Sequence, residues 1–102
     1  MTRASVSDVA RTEIRDAARW IAADSPKAAS RFRTAILHGL EQIGGFPEIG
    51  ALRPDLTDRD VRFWPLPDFP YLFVYSAGRR PPLILRVLHG ARDVTAVLTD
   101  PP

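Results

Sequence analysis

The side chains of this sequence that could do chemistry are mostly arginines. Fourteen residues are basic, and all but Lys27 are arginine. The guanidinium is a planar fork of N–H donors that pairs two-pronged with carboxylates and phosphates. His38 and His89 add imidazoles, the side chain most often used in general acid–base chemistry. Cysteine is absent, which excludes disulfide frameworks, thiol nucleophiles and cysteine-based zinc sites. Two histidines alone give no recognisable ligand spacing, so no metal and no other cofactor is expected.

One constellation would be catalytic. Cutting RNA without a metal needs a base, an acid and cations on the scissile phosphate. Asp55 as base, Arg62 or Arg86 on the phosphate and His89 as acid would supply them. The net charge of only +2 gives little basic density for gripping RNA, so this reading ranks second to one based on binding. The run Ile84–Asp93 (ILRVLHGARD) gathers much of the remaining chemistry. In an extended chain Arg86 and Leu88 share one face and Val87 and His89 the other, and Gly90 then lets the chain turn. Asp93 reads as a structural ion-pair partner pinning the strand end. Arg86, His89 and Arg92, with Arg53 and Arg62 upstream, are candidates for contact with a macromolecular target.

A second set suits a protein partner. Arg11, Arg15 and Arg19 recur every four residues and form a basic row that would face an acidic segment. Trp20, Phe32, Phe63 and Trp64 are candidates for lining an apolar groove that takes an amphipathic segment, since aromatic and arginine side chains are the commonest interface anchors. Each has a plainer reading as well. Trp20 would pack in the seam between helices, Tyr71, Phe73 and Tyr75 would be core, and His38 would sit on the surface.

The elements that must position these residues follow from periodicity. Ser7 is a helix N-cap by type, and Ala10, Ile14, Ala17, Ala18 and Ile21 recur at three- and four-residue steps, predicting a helix over 8–23. Ser25 and Pro26 predict the start of a second helix, running to about Ile43 with Ala29, Phe32, Ile36, Leu40 and Ile43 as its buried stripe and Gly44-Gly45 as its stop. So short a link makes an antiparallel helical hairpin. Residues 2–6 could form a short edge strand, and Phe46–Asp60 reads as loop. Beyond it the period becomes two: strands are expected at Val61–Pro65, Tyr71–Tyr75 and Leu83–His89, joined by proline- and glycine-bearing turns into an antiparallel meander. Helices followed by strands indicate an α+β fold, a helical hairpin on one face of a small, mainly antiparallel sheet. The tail Val94–Pro102 reads as short and frayed.

With 102 residues and 45% hydrophobic content, one domain spanning 1–102 is expected, with a shallow groove rather than a deep enclosed site. No secretory signal and no apolar run of membrane-spanning length is evident, and the absence of cysteine fits a reducing cytoplasm.

The order helix hairpin, proline loop, three-strand meander resembles the ParE branch of the ParE/RelE toxin superfamily. The resemblance is carried by Ile21–Pro26 with Ala28, Ala29 and Phe32, by Phe46–Gly50 and Arg53–Leu56, by Val61-Arg62 and Tyr71–Tyr75, and most specifically by Ile84–Asp93. It covers nearly the whole chain from Val6 on. It implies a cytoplasmic type II toxin held inactive, in a hetero-oligomer, by a ParD-like antitoxin whose ribbon-helix-helix part binds operator DNA, so that the toxin meets DNA only indirectly. ParE-like members are associated with inhibition of DNA gyrase, without catalysis by the toxin. RelE-like relatives instead cut mRNA on the ribosome, which is the enzymatic alternative, and a toxin fold that only binds is a further one.

Overall fold

The computed structural model describes residues 2–94. The expected tail lies outside the described residues apart from Val94, which is buried. The elements run β1 (Ser5–Val6), α1 (Asp8–Asp24), α2 (Pro26–Gly45), β2 (Ala51–Leu52), β3 (Arg62–Pro65), β4 (Tyr71–Ser76) and β5 (Leu83–His89). The fold is α+β.

Capping explains the helix borders. The Ser7 hydroxyl accepts from the Ala10 N–H at 3.1 Å, and the Ser25 hydroxyl accepts from Ala28 N–H at 3.1 Å; each satisfies a backbone donor that a helix start leaves orphaned. Pro26 occupies the first turn, where its missing N–H costs nothing. Gly44 and Gly45 do not stop α2 as expected. Both are helical, and Phe46 is the C-cap. Gly44 is there because the N-terminal segment crosses it: a Cβ would collide with the Thr2 carbonyl and the Ala4 N–H, and Ala4 N–H donates to the Leu40 carbonyl at 2.9 Å. The crossing sets β1 beside β5.

The sheet order is β1-β5-β4-β3-β2. β3, β4 and β5 form the antiparallel meander, and β1 lies parallel to β5. The fifth strand, β2, pairs antiparallel with β3 inside what reads in sequence as loop. Both its residues are exposed, so no apolar alternation announces it. It is held instead by bonds from β3 and β4, described below.

The helices cover one face of the sheet. Ala10, Ala17 and Ala18 of α1 and Phe32, Ile36, Leu40 and Ile43 of α2 pack with Tyr71, Phe73, Tyr75, Ile84 and Val87. The other face carries a smaller cluster of Val61, Phe63, Val74, Leu88 and Val94. Consecutive buried residues Phe73, Val74 and Tyr75 thus serve two cores. On β5, Val74 pairs with Arg86 and Tyr75 with Ile84. Leu85 has no partner and forms a bulge, which lets Ile84 and Val87, three residues apart, reach the same core.

Candidate functional site

The C-terminal half of β5 and the middle of α1 build the most developed polar site. β1 is only two residues long, so the outer edge of β5 outruns its neighbour. Side chains from α1 and its cap take over. The Ser7 hydroxyl donates to the Leu85 carbonyl at 2.9 Å, and a Glu13 carboxylate oxygen accepts from the Val87 N–H at 2.9 Å. The same carboxylate takes the Arg86 guanidinium through Nε at 3.1 Å to both oxygens and through Nη2 at 2.7 Å. Arg86 is therefore a structural clasp between α1 and β5, and its pairing with Glu13 holds the guanidinium above its ordinary pKa. Sequence reading missed Glu13. The available signal was its place on the margin of the α1 apolar face, between Ala10 and Ala17.

One turn further, the chain folds on itself. His89 Nδ1 accepts from the Arg92 N–H at 3.2 Å, and the Asp93 carboxylate accepts from the His89 N–H at 3.1 Å. This is the reciprocal logic of a capping box. In it Nδ1 of His89 serves as the acceptor. Asp93 also receives Arg92 Nε at 3.1 Å. That bond, with the one from His89 N–H, depresses the Asp93 carboxyl below its usual value, against a smaller upward push from burial. A lowered folded pKa stabilises the fold above the unfolded aspartate value, about 3.9, and the contribution is lost as pH falls through the folded value. Asp93→Asn is expected to cost less than about 1 kcal/mol near neutrality, because the pair is partly exposed, and to flatten the acid limb of a stability–pH curve measured by urea unfolding. An unchanged acid limb would refute this role.

Beside this turn, a cleft of about 310 Å³ opens between α1 and the end of β5, lined by Glu13, Asp16, Ala17, Trp20, Tyr71, Val87, Arg92 and Asp93. Trp20 does not pack in the helix seam as expected. It is 75% exposed. The Tyr71 ring meets the His89 imidazole edge to face at 5.4 Å.

The other predicted site residues are dispersed. The four aromatics do not share a groove. Phe32 is fully buried in the helix-side core, and Phe63 is 4% exposed in the cluster on the opposite sheet face. Trp64 is half-buried and stacks on Phe73. Phe32 lies on the sheet-facing stripe of α2, and Phe63 on the face of β3 turned away from the helices, so each is claimed by a different core. Arg11, Arg15 and Arg19 are all exposed on α1, and among the described residues Arg19 makes only a long 3.9 Å contact with Asp16. Arg53 grips Asp55 with bonds of 2.9 and 2.7 Å.

The set Asp55, Arg62 and His89 is not assembled. Arg62 pairs with Tyr75 and His89 with Tyr71, at opposite ends of β4. At about 3.3 Å per residue they are ~13 Å apart along the strand, with two strand spacings of ~4.8 Å between them sideways. The Arg53 bonds hold the Asp55 carboxyl below its usual pKa, which weakens it as a base. Arg62 donates to the Gly50 carbonyl at 2.8 Å and, more weakly, to that of Glu48 at 3.3 Å. It staples the loop. Arg86, paired with Glu13, is no better placed to hold a phosphate beside Asp55.

Tyr75 completes that staple. Its buried hydroxyl accepts from Gly50 N–H at 2.8 Å and donates to the Pro47 carbonyl at 2.7 Å. Gly50 is required there, since a Cβ would stand 2.7 Å from the phenol. These bonds carry β2.

Compared with known proteins, the chain matches no individual curated protein. A family model does match, that of the ParE toxin of the type II toxin–antitoxin system, parDE, over residues 5–94. The matched stretch starts at β1 and ends at Val94, taking in both helices, all five strands and the Glu13–Arg86 and His89–Asp93 contacts. The chain belongs to the ParE toxin family of type II toxin–antitoxin systems.

Proposed function

We propose that the chain is a single toxin domain, acting in the cytoplasm by inhibiting DNA gyrase without catalysis, and neutralised by a ParD-like antitoxin in a hetero-oligomer. Operator DNA would be reached only through that antitoxin. The observation that supports a non-catalytic toxin is the dispersal of Asp55, Arg62 and His89, with Arg62 and Asp55 both committed to intramolecular bonds. Metal-free RNA cleavage needs its acid, base and cation around one phosphate, and this arrangement does not provide that. The surface left for a target contains Arg92, with a side chain 62% exposed, and Arg53 at 47%. Arg62 and Arg86 serve the fold before any target.

The expected result is that inducing the chain alone arrests bacterial growth with a DNA-damage response and intact mRNA. Purified protein should inhibit gyrase supercoiling in vitro, and the product of the adjacent reading frame should restore it. Supercoiling that proceeds unhindered, or transcripts cut at defined sites and spared by His89→Ala, would overturn the gyrase reading.

A further inference from the structure

The cleft beside Trp20 has an unspent carboxylate and an unspent aromatic face. Of its three lining carboxylates and one guanidinium, Glu13 is used by Arg86 and the Val87 N–H, and Asp93 by Arg92 and the His89 N–H. Among the described residues Asp16 has only the 3.9 Å contact with Arg19, with both side chains largely solvated. Asp16 and Trp20 are four residues apart on α1 and therefore neighbours on one helix face. Ala17 and Val87 give the cleft an apolar lining. An exposed indole attracts a cation to its ring face, and a carboxylate one turn away would take the N–H fork of that cation. Arg86 neutralises Glu13 and Arg92 neutralises Asp93, so the loosely paired charge in the lining is the Asp16 carboxylate, and a cation is favoured over an anion.

We propose that this cleft is a socket for one arginine of the antitoxin's toxin-binding segment, stacked on Trp20 and paired with Asp16, its aliphatic stem on Ala17 and Val87. This rests on the reading that an antitoxin neutralises the chain. Arginine fits better than lysine because only the planar guanidinium stacks and pairs at once. The partner segment then carries a defined charge pattern. Helical steps of about 100° put Trp20 and the Arg11–Arg15–Arg19 row on different sides of α1, so carboxylates of the segment would face the arginine row while its arginine enters the cleft.

The test uses the full chain and the product of the adjacent reading frame, with dissociation constants measured for wild type, Trp20→Ala and Asp16→Asn. Both side chains are exposed, and circular dichroism should show unchanged folding. Trp20→Ala is expected to weaken binding by ~30-fold and Asp16→Asn by ~10-fold, the range of an interface hot spot and its partner. Replacing one arginine of the antitoxin by glutamine should cost at least as much as Asp16→Asn, and adding Asp16→Asn to that replacement should cost nothing further. Wild-type binding with both variants equally tight would overturn the socket and leave neutralisation standing. So would a loss on Trp20→Ala alone, with no antitoxin arginine coupled to Asp16. If the wild-type chain does not bind the neighbouring product, the neutralisation reading fails and the socket with it.

Discussion

Replacing Glu13 by alanine is expected to lower folding stability by about 2–3 kcal/mol. Removing one member of a fully buried pair costs roughly 3–5 kcal/mol, because the other charge stays desolvated and alone. Here the Arg86 and Glu13 side chains keep 34% and 21% of their exposure, and water reaching them reduces the cost. The Val87 N–H adds to it, since β1 ends too early to offer it a partner. The melting temperature should fall by roughly 10–20 °C for a domain of this length. Glu13→Gln keeps an acceptor for Val87 and should lose about half as much. A double-mutant cycle with Arg86→Ala sharpens the test: the double variant should be clearly more stable than the sum of the single losses predicts. Additive losses, or a Glu13→Ala protein that melts within a few degrees of wild type, would show that the clasp does not hold α1 to β5.

Tyr75→Phe is expected to cost about 2 kcal/mol while leaving the core packed. The ring is fully buried, and phenylalanine fills the same space. What disappears is the hydroxyl, leaving the Gly50 N–H without its acceptor and the Pro47 carbonyl without its donor. An unsatisfied buried group carries its desolvation penalty, about 1–3 kcal/mol. The loss should be local as well as global. Hydrogen exchange at Gly50 should quicken by ~30-fold, and protection should fall at β2 before it falls in β4. Uniform loss of protection across the sheet would refute the assignment of the hydroxyl to the loop. Burial also pushes the Tyr75 phenol above its usual pKa. With a raised folded value, the stabilisation is complete below the unfolded value, about 10, and is lost as pH rises through the folded one. Tyr75→Phe should remove that alkaline sensitivity.

Sequence and structure agree where the information is local. Ser7, Ser25 and Pro26 announce their caps because capping involves residues three or four apart in the chain. Ala29, Phe32, Ile36, Leu40 and Ile43 announce a buried stripe because helical period alone brings them to one side. The meander strands show as alternation bounded by proline and glycine. β2 was illegible, since its two exposed residues are held by a tyrosine and an arginine from later strands.

The site divides the same way. Asp93 could be read as structural from its own neighbourhood, because its partners His89 and Arg92 lie within four residues. Arg86 could not. Its partner Glu13 is 73 residues away, and only the parallel placement of β1, which brings α1 alongside β5, makes them meet. The run Ile84–Asp93 thus fixed by itself a strand, a glycine turn and a capped end. Tertiary structure decided that its arginine clasps the first helix, that its histidine stands far from Asp55 and Arg62, and that Trp20, nominally a packing residue, faces solvent over the cleft. Chain-local chemistry is written in spacing. Contacts across the sheet depend on register and on where a short strand stops.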